Sequence, residues 1–334
     1  MNPPHPLLAG LLVTCLAGGC SSGAGSSNDP PASPDAGGFV DGQQLIEVQH
    51  GRKMWARTVG QGARTLLILP GGPGGTSHYM EASDLIMLAQ SNRLVFTEPV
   101  GSGTGGGRSD KGTLEDYTLS NQVENLERIR ETLGIERWTI IGHSGGAVAG
   151  AHYAVRYPQR TEKLVLLSDG ASSTTTGAAY QHILDYWRTQ KPAVWERMMG
   201  LREIGQKGTE HSELGTLVGL HWPGFLYSSR PEMYPPGQQW GTIEFMGAVE
   251  GIDSPFNVEQ SDDEGTLRDL GIPTMVVGGD DDGVFTPTVM AAVASSVGAL
   301  EYHSLANTGH NVHLEAGPQT TELIRHFLED EGAR

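Results

Sequence analysis

Trp138-Thr139-Ile140-Ile141-Gly142-His143-Ser144-Gly145-Gly146 joins an apolar, β-prone run to a G-x-S-x-G motif. A run of small residues, Ala147 to Ala151, follows at once and favours a helix packed closely on the preceding strand. This context predicts a sharp strand-to-helix turn that holds the Ser144 hydroxyl out from a sheet in a strained backbone conformation. Glycines are needed at 142 and 146 because side chains there would collide across the turn. We therefore expect Ser144 to be a nucleophile at a helix N-terminus, where free N–H groups face the reacting oxygen.

The composition limits the classes of partner. The chain has 334 residues, and its 22 basic and 39 acidic side chains give a formal net charge of −17. This acidity argues against binding to nucleic acid or to an anionic membrane surface. The length allows a full hydrophobic core and one or two domains.

The first 40 residues are predicted to lie outside the folded body. Residues 1–20 are interpreted as a signal peptide, because the apolar run Leu7 to Gly19 is too short to span a bilayer. The end of this run, Leu16 to Cys20, resembles a bacterial lipoprotein signal, which implies lipid attachment at Cys20 and a secreted or membrane-anchored protein of the cell envelope. Simple secretion is the second interpretation, and a cytoplasmic protein is the third. Residues 21–40 are rich in Gly, Ser and Pro and predict a flexible tether.

From residue 41 onward, apolar runs of strand length alternate with stretches of helical periodicity. An opening hairpin is predicted at 45–49 and 52–59, and further strands at 65–69, 93–97, 138–141, 163–167, 273–277 and 300–303. Helices are predicted at 79–91, 119–133, 288–297 and 319–330, besides the helix after Ser144. This alternation predicts an α/β fold with a mostly parallel sheet and helices on both faces, built from residues 41–170 and 266–334.

Residues 171–265 break this alternation and are rich in aromatic residues and glutamates. We interpret them as an inserted helical cap, or lid, over the carboxyl ends of the strands, where sites in such sheets lie.

A serine nucleophile needs a base, and the base needs an acid that orients it. His310 follows the strand at 300–303 and is the candidate base. Asp282 follows the strand at 273–277 and is the favoured acid, with Asp281 as the second choice. The order Ser144, Asp282, His310 along the chain is the order of the α/β-hydrolase triad.

The remaining sequence features concern the oxyanion and possible cofactors. The backbone N–H groups of Gly145 and of Gly72, in the glycine-rich run 70–75, are predicted to form an oxyanion hole. His310 and His313 have the spacing of metal ligands, but no complementary His/Glu helix motif accompanies them, so no metal site is predicted. Residues 101–106 fit G-x-G-x-x-G, a pattern of dinucleotide-binding loops. The apolar helix that such binding needs does not follow them, so no cofactor is predicted.

From about residue 40 to its end the chain resembles the α/β-hydrolase superfamily. The run 70–75 resembles the H-G-G-P-G-G stretch of its proline iminopeptidase-like branch, 98–109 resembles that branch's D-x-x-G-x-G-x-S loop, and 309–315 resembles its closing G-H-x-x-x-x-E segment. Pro70 stands where that branch usually has histidine, and Gly145 where proline iminopeptidases usually have tryptophan. The resemblance implies an α/β-hydrolase fold, hydrolysis of peptide or ester bonds by a triad, no cofactor, and cap glutamates that bind a substrate's free amino terminus.

These features predict a serine hydrolase that cleaves an ester or amide through an acyl-enzyme. One hypothesis is a proline iminopeptidase-like aminopeptidase on short peptides, with Glu203, Glu232, Glu244 and Glu250 as candidates to clamp an ammonium group. The second is a carboxylesterase that holds small acyl groups against the cap aromatics. A third, of another class, is a non-catalytic binding protein on the same fold. The sequence leaves the oligomeric state open.

Overall fold

The computed structural model describes residues 41–72, 75–102, 108–113, 115–169, 184–206, 213–214, 217, 221 and 263–330. The predicted signal peptide, the Cys20 lipid site, the tether and much of the predicted cap lie outside these residues and stay predictions. No described helix is both long enough and apolar enough to cross a membrane.

Eight strands form a single sheet in the described part of the chain. Their bounds are β1 (Asp41–Glu47), β2 (Lys53–Val59), β3 (Thr65–Leu69), β4 (Arg93–Thr97), β5 (Trp138–His143), β6 (Thr161–Leu167), β7 (Thr274–Gly279) and β8 (Glu301–Leu305). The spatial order is β1-β2-β4-β3-β5-β6-β7-β8. The pairs β1–β2 and β2–β4 are antiparallel and all others are parallel, which confirms the predicted opening hairpin and mostly parallel sheet.

The helices of the described residues are α1 (His78–Glu81), α2 (Leu119–Thr132), α3 (Gly145–Arg156), α4 (Pro192–Glu203), α5 (Asp263–Leu270), α6 (Pro287–Ser296), α7 (Val312–Glu315) and α8 (Gly317–Glu329). Short 3₁₀ helices occupy Gln49–Gly51, Asp84–Gln90 and Pro158–Arg160. Residues 184–190 are also helical.

Helices cover both faces of the sheet, as predicted. Successive residues of β3 point to opposite faces, so Leu67 and Leu69 join one core with α2, α3 and α6, while Leu66 and Ile68 join another with α8. Every residue of β3 is buried, which explains why its sequence is continuously apolar rather than alternating.

The predicted helix at 79–91 is wrong, because two short pieces, α1 and the 3₁₀ helix Asp84–Gln90, replace it. Ser83 separates them with an extended backbone. Its hydroxyl donates to the carbonyl of Met80 at 2.7 Å and accepts from the N–H of Leu85 at 3.3 Å. The serine therefore ends one helix and caps the next, as short hydroxyl side chains often do.

Strands β5 and β7 run further than predicted, and both extensions contain glycine. Strand β5 continues through Gly142, and β7 continues through Gly279, where each still pairs with its parallel neighbour. A Cβ at Gly142 would lie 2.4 Å from the carbonyl oxygen of Gly146, and one at Gly279 would lie 2.0 Å from that of Thr308. These glycines allow the loops at the carboxyl edge of the sheet to pack against the strand ends.

The described residues of the predicted cap include helical residues 184–190 and α4. They form a small core of their own, made by Trp187, Met198, Leu201 and Leu214. Helix α5 crosses the predicted cap boundary at 266, and its Leu267 packs in the main core.

Candidate active site

Ser144 lies at the junction of β5 and α3 with φ 49° and ψ −129°, a conformation that non-glycine residues rarely adopt. Its N–H donates to the carbonyl of Leu167 at 2.9 Å, and its own carbonyl accepts from the N–H of Ala147 at 2.7 Å. A Cβ at Gly146 would lie 2.5 Å from the carbonyl oxygen of Pro70. The tight turn expected from G-x-S-x-G is thus present, with the glycine-rich loop after β3 packed directly on it.

The loops after β7 and β8 bring Asp282 and His310 together. Asp282 Oδ2 and His310 Nδ1 are 2.9 Å apart, and both side chains are buried. The other oxygen of Asp282, Oδ1, accepts backbone N–H groups from Val284 at 2.8 Å and Phe285 at 3.0 Å. The carboxylate is therefore held at both oxygens, and one of them is aimed at the imidazole.

The side chains of Asp280 and Asp281 differ from that of Asp282 in their exposure to solvent. Both are exposed, whereas Asp282 is buried. The N–H of Asp281 donates to the carbonyl of Thr308 at 2.9 Å, so its backbone ties the loop after β7 to the loop after β8. The structure thus pairs Asp282 with His310 and leaves the Asp281 side chain facing solvent.

The loop that carries His310 is clamped by Glu315 of α7. Glu315 Oε2 accepts the N–H of Gly309 at 3.0 Å, and Oε1 accepts the N–H of Asn311 at 3.2 Å. The Phe285 ring stacks on the imidazole of His310 with centroids 6.0 Å apart and planes 19° apart. Glu315 closes the motif at 309–315, but the sequence alone does not predict this clamp. Its spacing of six residues from Gly309 is the signal that could have suggested one.

The loop after β3 approaches the candidate nucleophile closely. A Cβ at Gly71 would lie 3.0 Å from Ser144 Cβ and 2.9 Å from His143 Nδ1. The N–H of Gly71 donates to the Tyr79 hydroxyl oxygen at 2.5 Å, and the carbonyl of Gly71 accepts from the N–H of Gly75 at 3.1 Å. Gly72 follows with φ 110°, a conformation suited to glycine. Gly145, the other predicted oxyanion donor, is the buried first residue of α3.

A network of carboxylates and guanidinium groups lies beneath the loop that follows β4. Glu98 is fully buried, and its Oε1 accepts Arg108 Nη2 at 2.7 Å. The same Arg108 nitrogen donates to Glu81 at 2.5 Å, and Arg57 donates to the other Glu81 oxygen at 2.7 Å. Burial opposes ionisation of Glu81, but hydrogen bonds from Arg108, Ser77 and Arg57 outweigh it and lower the pKa of Glu81. Glu98 and Arg108 of this network flank the glycine-rich segment 101–106, and residues 103–107 lie outside the described residues.

A mainly apolar cavity borders the strand-to-helix turn. Its lining includes the elbow glycines Gly145 and Gly146, together with Pro70, Met54 and Leu126. The cavity therefore lies beside the turn, next to the residues that follow Ser144 in the chain. In the part of the chain that the structure describes, no group of three or more His, Cys, Asp or Glu is arranged to hold a metal ion.

Comparisons with known proteins agree with this architecture. A model of the family described as "alpha/beta hydrolase fold" matches residues 64–317, which is more than half of the chain. A cis-3-alkyl-4-alkyloxetan-2-one decarboxylase of Shewanella oneidensis is 24% identical over 294 residues, covering 84% of this chain and 87% of that protein. A proline iminopeptidase of Lactobacillus delbrueckii subsp. bulgaricus is 23% identical over 286 residues, covering 82% and 93%.

Solved structures show the same fold. The crystal structure of proline iminopeptidase from Mycobacterium smegmatis has a TM-score of 0.61 and 19% identity, and the match covers 86% of this chain and 97% of that one. The strand order, the strand-to-helix turn at Ser144 and the family match lead to one conclusion: the chain belongs to the alpha/beta hydrolase fold family.

Proposed function

We propose that the protein is a serine hydrolase that cleaves an ester or amide bond through an acyl-enzyme. The observation that carries this proposal is the buried 2.9 Å hydrogen bond between Asp282 and His310, in a chain whose Ser144 is held in a strained strand-to-helix turn. Strained backbone and buried, oriented titratable pairs are typical of catalytic sites and costly elsewhere.

In the proposed reaction, His310 removes the proton of the Ser144 hydroxyl as its oxygen attacks the carbonyl carbon. Asp282 stays ionised and accepts a hydrogen bond from the Nδ1–H of His310, which fixes the imidazole tautomer and stabilises the imidazolium that forms. His310 then gives the proton to the leaving group. Water, activated by the same imidazole, releases the acyl group and restores the serine.

The tetrahedral oxyanion is proposed to be held by the N–H groups of Gly72 and Gly145. The N–H of Gly71 already donates to Tyr79, so the next amide of the loop, that of Gly72, is the one proposed to face the oxyanion. Gly145 begins a 12-residue helix, whose N-terminal partial positive charge favours an anion.

For the substrate we favour short peptides with a free amino terminus. This choice is supported by the run of relatives named proline iminopeptidase and by the motifs at 70–75 and 309–315. Glu203, exposed at the end of α4, is the described member of the four candidate cap glutamates. Glu232, Glu244 and Glu250 lie outside the described residues.

A carboxylesterase is the second candidate, and the apolar cavity beside Gly145 favours it. The Shewanella oneidensis relative gives it further support, because the oxetan-2-one in that protein's name is a cyclic ester.

The decisive experiment has two steps. A fluorophosphonate probe should label the wild-type protein and should not label Ser144→Ala; equal labelling of both would overturn the proposal. Then kcat/KM is measured on a proline anilide and on a short-chain nitrophenyl ester, with Ser144→Ala as the blank. Preference for the anilide supports the aminopeptidase, and turnover of the ester alone supports the carboxylesterase. Tight ligand binding without any turnover would support a non-catalytic binding protein.

A further inference from the structure

We infer that Tyr79 and His143 are positioning residues, which join the loop of Gly71 and Gly72 to the loop of His310 through a directional chain of hydrogen bonds. The inference rests on the proposed function, because it concerns how that site is held in its working geometry. Neither residue touches the reacting atoms in the proposed mechanism.

The chain has three links. The N–H of Gly71 donates to the Tyr79 hydroxyl oxygen at 2.5 Å. The same hydroxyl lies 2.9 Å from His143 Nδ1. On the other side of the ring, His143 Nε2 lies 3.1 Å from the backbone carbonyl oxygen of His310. One tyrosine and one histidine thus span the space between the two loops.

The chemistry of the end groups fixes the direction of every link. A carbonyl oxygen can only accept, so His143 Nε2 must carry the proton. In the neutral ring Nδ1 then carries a lone pair and accepts the Tyr79 O–H. The tyrosine oxygen in turn accepts the N–H of Gly71. Each donor in this chain therefore meets an acceptor, so the arrangement specifies a single tautomer of His143, with the proton on Nε2.

The surroundings favour the uncharged ring that this direction needs. Tyr79 is 1% exposed, and His143 and His313 are fully buried. The His313 ring meets the His143 ring at 4.6 Å and 60°, and the Tyr79 ring at 5.2 Å. Burial, followed by the proximity of His313 and His310, keeps the pKa of His143 well below its usual value. Burial also lowers the pKa of His313 to about 3.

This chain of hydrogen bonds, called the relay below, matters because its two ends are the parts of the site that must move least during the reaction. Gly71 precedes the proposed oxyanion donor Gly72, and a Cβ at 71 would lie 2.9 Å from His143 Nδ1. At the other end, the carbonyl that accepts from His143 belongs to His310, the proposed base. Small errors in such geometry reduce transition-state stabilisation more than substrate binding.

Spectroscopy tests the relay without any turnover. In protein labelled with ¹⁵N-histidine, with His143 assigned from the signals lost in His143→Gln, we expect the neutral Nε2–H tautomer from about pH 5 to about pH 9. Tyr79→Phe removes the donor to Nδ1 and should change the His143 shifts. An Nδ1–H tautomer in the wild type, or a His143 ring that titrates near its ordinary pKa, would overturn the inference.

Kinetics supply the second readout. Tyr79→Phe should lower kcat by about 10- to 100-fold, with KM within about twofold, because the lost contribution acts in the transition state. Binding of a trifluoromethyl ketone should weaken in parallel with kcat/KM. Tyr153→Phe is the matched control, since Tyr153 is also buried but its hydroxyl donates to Glu127. Equal effects of the two variants, or a change in KM alone, would contradict a positioning role.

The two proposals fail in different ways. Turnover retained by Ser144→Ala would overturn the serine hydrolase and leave the histidine spectra unchanged. His143→Gln, which can still donate to the His310 carbonyl through its side-chain amide, should retain more activity than His143→Phe. The reverse order would overturn the relay alone.

Discussion

Asp282 and His310 are 28 residues apart in the chain, yet they share a hydrogen bond of 2.9 Å between side chains that are closed off from solvent. Two backbone N–H groups hold the second oxygen of the carboxylate. Both oxygens of the Asp282 carboxylate are therefore held, and removal of its charge should act directly on His310, the proposed base.

The first prediction separates the two neighbouring acids. Asp282→Asn should lower kcat by about four orders of magnitude, because the amide can favour the wrong imidazole tautomer. Asp281→Asn should change kcat little, since its side chain is exposed. Steady-state kinetics on whichever substrate turns over provide the measurement. An Asp281→Asn loss as large as that of Asp282→Asn would contradict the pairing of Asp282 with His310.

The second prediction concerns the close approach of Gly71. An alanine Cβ there would press on His143 Nδ1 at 2.9 Å and on Ser144 Cβ at 3.0 Å, so the loop must move away. We expect Gly71→Ala to lower kcat by about 10²- to 10³-fold, the loss typical of one oxyanion donor. Gly42→Ala is the matched control, because a Cβ at 42 meets no atom within 4 Å. Unchanged kcat in Gly71→Ala would show that the loop tolerates displacement.

The third prediction links activity to stability at the turn. Ser144 has φ 49°, where a side chain costs about 1–3 kcal/mol and glycine costs little. Ser144→Gly should therefore unfold at higher urea concentration than Ser144→Ala, although both variants lose turnover. Equal urea midpoints would mean that the turn holds no backbone strain. This comparison isolates the conformational cost of placing a side chain there.

The fourth prediction concerns acid stability. His313 has a pKa of about 3 in the folded protein and an ordinary value near 6.5 when unfolded. Between those two values the unfolded chain binds a proton that the folded chain does not, so stability falls as pH falls. The slope is about 1.4 kcal/mol per pH unit for one such histidine.

His313→Phe should therefore make the free energy of unfolding less sensitive to pH between about 6 and about 4. Urea denaturation at several pH values provides the measurement. His326→Gln is the control: its side chain is 70% exposed, and its loss should leave most of the slope in place. A slope unchanged in His313→Phe would contradict the burial of a neutral ring at this position.

Much of the fold could be predicted because each strand is a local signal. The runs at 65–69 and 93–97 are strands with the predicted bounds, since strands buried on both faces carry consecutive apolar residues, here 66–69 and 94–96. The helix predicted at 79–91 was wrong because apolar periodicity does not show that Ser83 uses its hydroxyl to stop one helix and start another.

Less of the candidate site than of the fold can be predicted from the sequence. Ser144, Asp282 and His310 each follow a predicted strand, so their order could be read from the sequence. Tyr79 could not be found in this way, because its role depends on contact with His143, 64 residues away, and through that ring with His310. The choice between Asp281 and Asp282 likewise follows from burial, a property of the packed loops rather than of the tripeptide Asp280-Asp281-Asp282.

The order of strands in the sheet has a consequence for protein synthesis. Strand β5, which carries the turn at Ser144, lies inside the sheet, while β7 and β8, whose loops carry Asp282 and His310, add to one edge and are translated last. A growing chain on the ribosome can thus form β1 to β6 before Asp282 and His310, the proposed acid and base, have been added. Pairings over such long sequence separations form slowly. The proposed hydrolytic activity would then appear only after the final strand has docked, so that turnover reports the completion of folding.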